Sequence, residues 1–249
     1  MPQSLSAHAR SFGAAAAAYE RGRPSYPQEA LDWLVPAQAR RVLDLGAGTG
    51  KLTRQLVRRG LDVIAVEPSA RMREQLALVL PEVRTLPGTA ERIPLEDAAV
   101  DAVLVAQAWH WMDPASAVPE VARVLTPSGQ LGLLWNVRDE RVPWVADLGG
   151  LLRQGAAPAG EPDLTDSSEH VGAPFSPPER RIFTWVHQTT PTGVLDLVAS
   201  RSYVITLSDG PRARLLSDVR ALVSSHPALV GKDTIELPYQ TRCTRTGLP

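Results

Sequence analysis

The chain has 249 residues, 44% of them hydrophobic and 21% charged, enough to bury a full α/β core. Its 26 basic and 27 acidic residues leave a net charge of −1, which excludes a general attraction to nucleic acid or anionic membrane. The single cysteine, Cys243, excludes an internal disulfide, a cysteine-built metal site and an iron–sulfur cluster.

The chain opens with Arg10, Arg21 and Arg23 around an alanine run, Ala14 to Ala18, too short and weakly apolar for a secretory segment. No apolar run approaches the ~18 residues of a membrane span, so no membrane insertion and a cytoplasmic location are expected. From Arg41 to Val137 short apolar strands alternate with amphipathic helices, as in parallel α/β units. The expected strands are Arg41–Leu45, Asp62–Val66, Val83–Pro87, Val100–Ala106 and Gln130–Val137. The run from Val100 is nearly all apolar, as in a central strand covered on both faces. Asp113-Pro114 is an N-cap and first-turn pair. Val118, Val121, Ala122 and Leu125 then share one helical face, and Thr126-Pro127-Ser128-Gly129 is expected to end that helix before the next strand. Pro143–Gln154 reads as a short helix, and Gly155–Glu179 as a long Gly/Pro/Ala-rich loop that can cover a site. Arg181–Thr189 reads as a strand, Thr192–Ser200 and Pro211–Ser224 as helices, and Thr234–Thr244 as a closing strand. One domain is expected: an N-terminal cover (1–35), a core (36–137), a lid or insertion (138–180) and C-terminal elements (181–249).

The sharpest local signal is Val42-Leu43-Asp44-Leu45-Gly46-Ala47-Gly48-Thr49-Gly50, with Lys51 opening the next helix. An apolar strand runs into three alternating glycines, the residue needed where backbone turns tightly and approaches a ligand. A lone Gly-x-Gly would carry little weight; three glycines after a strand bearing Asp carry more. A dinucleotide site would place its third glycine one residue later, beside a pyrophosphate that Asp44 would repel. Asp44 suits instead a ligand with a cationic amino group and a sulfonium. The strand Asp62-Val63-Ile64-Ala65-Val66 ends at Glu67, 21 residues after Gly46, where a carboxylate can accept from two ribose hydroxyls. Gly88-Thr89-Ala90-Glu91 and Gln107-Ala108-Trp109-His110-Trp111 follow the third and fourth strands and border the same strand ends.

The runs VLDLGAGTGKLT, VEPS, GTAERIPL and VDAVLVAQAWHW resemble class I S-adenosylmethionine-dependent methyltransferases of the type 11 family. The opening Tyr19-Glu20-Arg21-Gly22-Arg23-Pro24-Ser25-Tyr26-Pro27, and Trp135 to Asp139 with Pro143-Trp144, are similar to a subgroup related to trans-aconitate methyltransferases. The resemblance covers residues 12 to 145 well and the rest in outline. It implies an α/β, Rossmann-like three-layer sandwich with a mostly parallel seven-stranded sheet, the last strand antiparallel. It implies that Asp44, Gly46, Ala47, Gly48, Thr49 and Gly50 surround the methionine moiety of S-adenosylmethionine. Glu67 then takes the ribose, Pro68 and Met72 lie near the adenosine, Ala90 and Glu91 line the adenine pocket, and Gln107 and Ala108 lie near the sulfonium. Tyr19, Arg23 and Tyr26 belong to the cover, with Trp109 walling the cleft. Thr89 stands where many relatives carry Asp, so the adenine contact rests on backbone and on Glu91.

Methyl transfer from a sulfonium needs alignment more than covalent help. An oxygen or nitrogen acceptor can also need a proton removed, and His110 is the local candidate base, set against a purely structural role in the Trp109-His110-Trp111 wall. Arg23 and Arg138 can pair with an acidic acceptor or with the cofactor carboxylate, or can be ordinary surface arginines. Asn136 and Asp139 are poor evidence for a metal, and none is expected; His8, His170, His187 and His226 are scattered. The expected activity is in-line methylation of a small molecule, with a carboxylate or hydroxyl oxygen favoured and S-adenosyl-L-homocysteine as product, by a monomer or homodimer. The alternatives are a nucleic-acid methyltransferase, which lacks here an Asn-Pro-Pro-aromatic motif and a basic stripe, and a non-catalytic cofactor-binding protein.

Overall fold

The computed structural model describes residues 23–155 and 171–249. Tyr19, the alanine run and residues 156–170 of the expected lid lie outside the described residues. The described chain forms two compact units, one of residues 25–137, 171–183 and 241–249, the other of residues 23–24, 138–155 and 184–240.

In the first unit a helix α1 (Gln28–Leu34) precedes strand β1 (Arg41–Leu45), helix α2 (Lys51–Arg58), strand β2 (Asp62–Val66), helix α3 (Ala70–Val79) and strand β3 (Arg84–Leu86). Strand β4 (Val100–Ala106), a 3₁₀ turn (Trp109–Trp111), helix α4 (Pro114–Val124) and strand β5 (Leu125–Arg138) follow. Strands β1, β2 and β4 have the bounds that their apolar runs predict; β3 is shorter by one residue at each end. Strands β6 (Glu179–Thr189) and β7 (Ile235–Gly247) complete a seven-stranded sheet of order β3-β2-β1-β4-β5-β7-β6. The pairs from β3 to β5 are parallel, and the sheet is mostly parallel with antiparallel end strands, an α/β, Rossmann-like architecture.

Alternation along the central strands explains why they are apolar throughout. Leu43, Val103, Val105 and Leu133 point into one core with Trp109, Val118, Val121 and Trp135. Their neighbours Val42, Ala102, Leu104 and Leu134 point into a second core with Leu31, Leu34, Leu52 and Leu56. Both faces are therefore covered, as parallel strands require.

Helix α4 ends at Val124, just ahead of Thr126–Gly129 as expected, but these residues do not separate it from the next strand. Strand β5 starts at Leu125, directly after α4, and the four residues are absorbed where the register jumps from Val100↔Leu125 to Ala102↔Gln130. A Pro and a Gly are tolerated at such an irregularity because the ladder does not need their groups there; Pro127 and Ser128 are exposed. Helix α4 begins as its sequence demands, with the Asp113 carboxylate accepting from the Ala115 N–H at 3.3 Å and from the Ser116 hydroxyl at 2.7 Å.

The second unit contains helices α5 (Pro143–Gly155), α6 (Pro191–Ala199), α7 (Ser202–Thr206) and α8 (Asp209–Ser225), with residues 184–189 of β6 and 235–240 of β7. Its core packs Trp144, Leu148 and Leu152 of α5 with Val194 and Leu197 of α6 and with Leu215, Val219 and Val223 of α8. These are the positions that the helical periodicity of α8 selects, Leu216 and Leu222 being partly buried at the margin. No sequence signal announces the short α7.

Candidate functional site

Three glycines shape the turn from β1 to α2. Gly46, Gly48 and Gly50 have φ of +73°, +57° and +87°, the left-handed region that other residues enter at a cost. At Gly46 a Cβ would also lie 3.0 Å from the Ala108 Cβ, and at Gly50 3.0 Å from the Leu76 Cγ. At Gly48 the nearest atom is the Met72 sulfur at 4.0 Å, so conformation alone requires glycine there. The turn is fastened to the neighbouring strand: the Gly46 and Ala47 N–H groups donate to the Val66 carbonyl at 2.8 and 3.2 Å. Thr49 is buried within it.

Glu67 directly follows β2 and is buried. Its Oε2 accepts from the Gly48 N–H and its Oε1 from the Ser69 N–H, each at 2.9 Å. A carboxylate has about four lone-pair sites, so about two remain for hydroxyl donors. Arg73 donates from one nitrogen to the Glu67 and Pro68 carbonyls, both at 2.8 Å, which holds the backbone of this corner. Ser69 caps α3, accepting from the Met72 N–H, and so brings Met72 beside the glycine turn.

Asp44 is buried inside the turn and accepts from the Thr53 hydroxyl of α2 at 2.6 Å. Burial, with the nearby Glu67 carboxylate adding, pushes its pKa up to about 7 against the opposing Thr53 hydrogen bonds. A cation held near Asp44 would favour its ionised form.

The remaining wall follows β3 and β4. Ala90 is buried. Burial opposes ionisation of Glu91, but the Asp113 N–H at 3.0 Å and the Thr89 hydroxyl outweigh it and hold its pKa below the usual carboxylate range. Thr89 thus acts on the neighbouring carboxylate. Arg123 of α4 secures this segment through the Ile93 and Leu95 carbonyls at 3.0 and 2.8 Å, while pairing with Glu120 and Asp97 at 2.8 Å each.

Gln107 leaves β4 at φ +59°, an uncommon conformation for a residue with a Cβ. Two bonds fix it there: its N–H donates to the Leu134 carbonyl at 2.9 Å, and its side-chain amide to the Asn136 carbonyl at 3.2 Å. Ala108 then faces Gly46. Trp109 is buried in the core, and Trp111, 72% exposed, faces out. His110 is half-buried, tilted against Trp111 at 4.8 Å, and burial lowers its pKa, so the ring is neutral near pH 7. Its Nδ1 has no hydrogen-bond partner among the described residues.

The structure thus gathers Asp44, the glycine turn, Glu67, Pro68, Met72 and Ala108 around one set of strand ends, with Gln107 and His110 following β4. Tyr26 is set differently: its ring is buried in the core with Leu31, Leu52 and Leu56, and its backbone is clasped by Gln55 in bonds of 2.9 and 2.7 Å. Arg23 and Arg138 belong to the second unit. Asn136 and Asp139 are committed to protein partners, Asn136 to Ser25 and Thr241 and Asp139 to Arg141. The thiol of Cys243, buried, is pushed up to about 12 and is inert. Sequence reasoning missed Thr53, Ser69, Arg123 and Met112, whose methyl end lies beside Gly46; only Ser69 had a local signal, a Ser before an amphipathic run.

The Methyltransferase domain family matches residues 43–133, the segment that carries this geometry. The uncharacterized methyltransferase Rv3342 of Mycobacterium tuberculosis is 55% identical over 238 residues, covering 96% of each chain. The uncharacterized methyltransferase-like C25B8.10 of Schizosaccharomyces pombe is 32% identical, covering 93% of each. Among solved structures, a proposed type II methyltransferase from Anaeromyxobacter dehalogenans is similar, with TM-score 0.63 and 25% identity over 91% of this chain and 97% of that one. The YcgJ protein of Bacillus subtilis shares the fold at TM-score 0.53 and 21% identity, over 89% and 98%. With a glycine turn locked to an acidic strand end, and with similarity along nearly its whole length to such relatives, the chain belongs to the methyltransferase domain family.

Proposed function

We propose that the protein transfers the methyl group of S-adenosylmethionine to a small molecule, with an oxygen of a carboxylate or hydroxyl as acceptor. The observation that carries this reading is Glu67, a buried carboxylate aligned by the Gly48 and Ser69 N–H groups with lone pairs left for two vicinal ribose hydroxyls. The class I fold of the relatives implies the same cofactor.

The residues fit that group part by part. The turn from Gly46 to Gly50, with Ala47 and Thr49, lets backbone approach an amino-acid tail, and ionised Asp44 offsets its positive charge. Pro68 and Met72 flank the adenosine, and Ala90 and Glu91 the adenine. Gln107 and Ala108 border the reacting end. S-Adenosylmethionine supplies a methyl on a good leaving group, so the protein's work is to bind, orient and exclude water. His110, neutral because it is half-buried, can take the proton of a hydroxyl acceptor. A net charge of −1 supports a small acceptor over nucleic acid.

The test is methyl transfer from S-adenosylmethionine carrying a labelled methyl to panels of small carboxylic acids and phenols, read by mass spectrometry. Labelled product together with S-adenosylhomocysteine supports the reading. Transfer only to oligonucleotides would overturn it.

A further inference from the structure

Along the loop from β4 to α4, two side chains are left over from its fastening. Gln107 is tied to β5, and Ala108 and Met112 lie 3.0 and 3.5 Å from the place a Cβ would take at Gly46. Trp109 is buried in the core, and the Asp113 N–H is held by Glu91 at 3.0 Å. The backbone between them is closed by the Trp111 N–H on the Ala108 carbonyl at 3.0 Å and the Met112 N–H on the Trp109 carbonyl at 3.1 Å. His110 and Trp111 remain, their rings 4.8 Å apart and tilted by 45°. All of these residues belong to the first unit.

Trp111 is the one aromatic side chain among the described residues that stands exposed. It leaves a large apolar ring in water beside the glycine turn, whereas Trp109, two residues earlier, is fully buried. His110 adds a second constraint. Its Nδ1 is enclosed without a hydrogen-bond partner among the described residues, which leaves Nε2 as the nitrogen that a ligand can reach. Protonation would leave the Nδ1–H without an acceptor, and burial opposes the charge, so the imidazole is a weak base. A weak base takes the proton of a phenol, ordinarily of pKa about 10, far more readily than that of an aliphatic alcohol, close to the ~15.7 of water.

We infer that Trp111 and His110 recognise the acceptor as a hydroxyl carried on a flat aromatic ring, Trp111 packing on the ring and His110 Nε2 meeting the hydroxyl. The inference rests on the methyltransferase reading above and narrows its acceptor from any carboxylate or hydroxyl to a phenol. An aromatic ring gains from offset stacking on an indole face, and a saturated ring of the same size does not. A neutral imidazole offers a carboxylate no opposite charge, and the carboxylates Asp44, Glu67 and Glu91 around the same strand ends repel it. The fastened loop fixes both rings relative to Gly46 and Ala108, so the acceptor is oriented as it binds.

The test is calorimetric titration of 2-naphthol, its saturated analogue decahydro-2-naphthol and 2-naphthoate into the full chain saturated with S-adenosylhomocysteine. Wild type, Trp111→Leu and Trp111→Phe are compared, with the melting temperature as a check of folding. In wild type, 2-naphthol should bind about tenfold or more tightly than either other probe. Trp111→Leu should weaken 2-naphthol about five- to tenfold, and Trp111→Phe, which keeps an aromatic face, less than about threefold. Decahydro-2-naphthol and S-adenosylhomocysteine should each change by less than about twofold in both variants. No binding of 2-naphthol to wild type, or unchanged binding in Trp111→Leu, would overturn the inference. So would equal or tighter binding of 2-naphthoate. A lower melting temperature in Trp111→Leu with 2-naphthol affinity unchanged would overturn it by assigning the ring to packing against the chain itself. Failure of wild type to take up S-adenosylhomocysteine at all would instead sink the underlying methyltransferase reading.

Discussion

Glu67 and Gly48 are joined by a 2.9 Å hydrogen bond from the glycine N–H to the Glu67 Oε2, across the ends of adjacent strands β1 and β2. The bond sets the orientation of the carboxylate and the path of the glycine turn at once. In Glu67→Gln one of the two backbone N–H groups must face an amide donor. S-Adenosylhomocysteine should then bind about 10- to 100-fold more weakly in calorimetry, with the melting temperature little changed.

Gly46 and Gly60 separate backbone strain from contact. Both have positive φ, but a Cβ at Gly46 meets Ala108 at 3.0 Å, while a Cβ at Gly60 meets nothing within 4 Å. Gly60→Ala should cost about 1–2 kcal/mol in denaturant unfolding and leave cofactor affinity intact. Gly46→Ala should cost more than Gly60→Ala and also abolish measurable cofactor uptake. Equal effects would remove Ala108 from the account.

Asp44 makes the protein pH-sensitive in a defined direction. Its folded pKa, about 7, lies above the ordinary 3.8. Below about pH 4 both folded and unfolded forms are neutral and the group costs nothing; stability then falls as pH rises to about 7, by up to about 4 kcal/mol. A cationic ligand reverses the preference, so S-adenosylhomocysteine should bind more tightly as pH rises through 7. Asp44→Asn keeps an acceptor for Thr53 and should flatten both profiles, with higher stability than wild type at pH 8.

His110 is held neutral by burial, its pKa lowered below 6.5. If it removes the acceptor's proton, turnover should fall on the acid side with an apparent pKa below 6.5. His110→Ala should then lower kcat about 100-fold or more and change cofactor affinity little. Equal turnover in the variant removes His110 from the mechanism.

What was legible in the sequence followed from patterns that tertiary contacts do not override. Strands β1, β2 and β4 have their expected bounds because parallel strands buried on both faces are apolar at every position, and the glycines at 46, 48 and 50 take the positive φ that their spacing implies. The start of β5 was misread because Pro127 and Gly129 punctuate most chains, whereas here a register jump accommodates them. The Thr53 partner of Asp44 depends on the helix phase of α2 against β1, and the left-handed Gln107 on bonds to β5; neither leaves a local trace. The buried setting of Arg138 was hidden for the same reason, since an arginine in a sequence reads as surface until its neighbours are known.

The most direct measurement is calorimetric titration of the purified chain with S-adenosylhomocysteine and, separately, with NADH. One-site uptake of S-adenosylhomocysteine, weakened in Glu67→Gln, with no uptake of NADH, is the predicted result. Uptake of NADH alone would contradict the assignment of the glycine turn and Glu67 to a methyl donor.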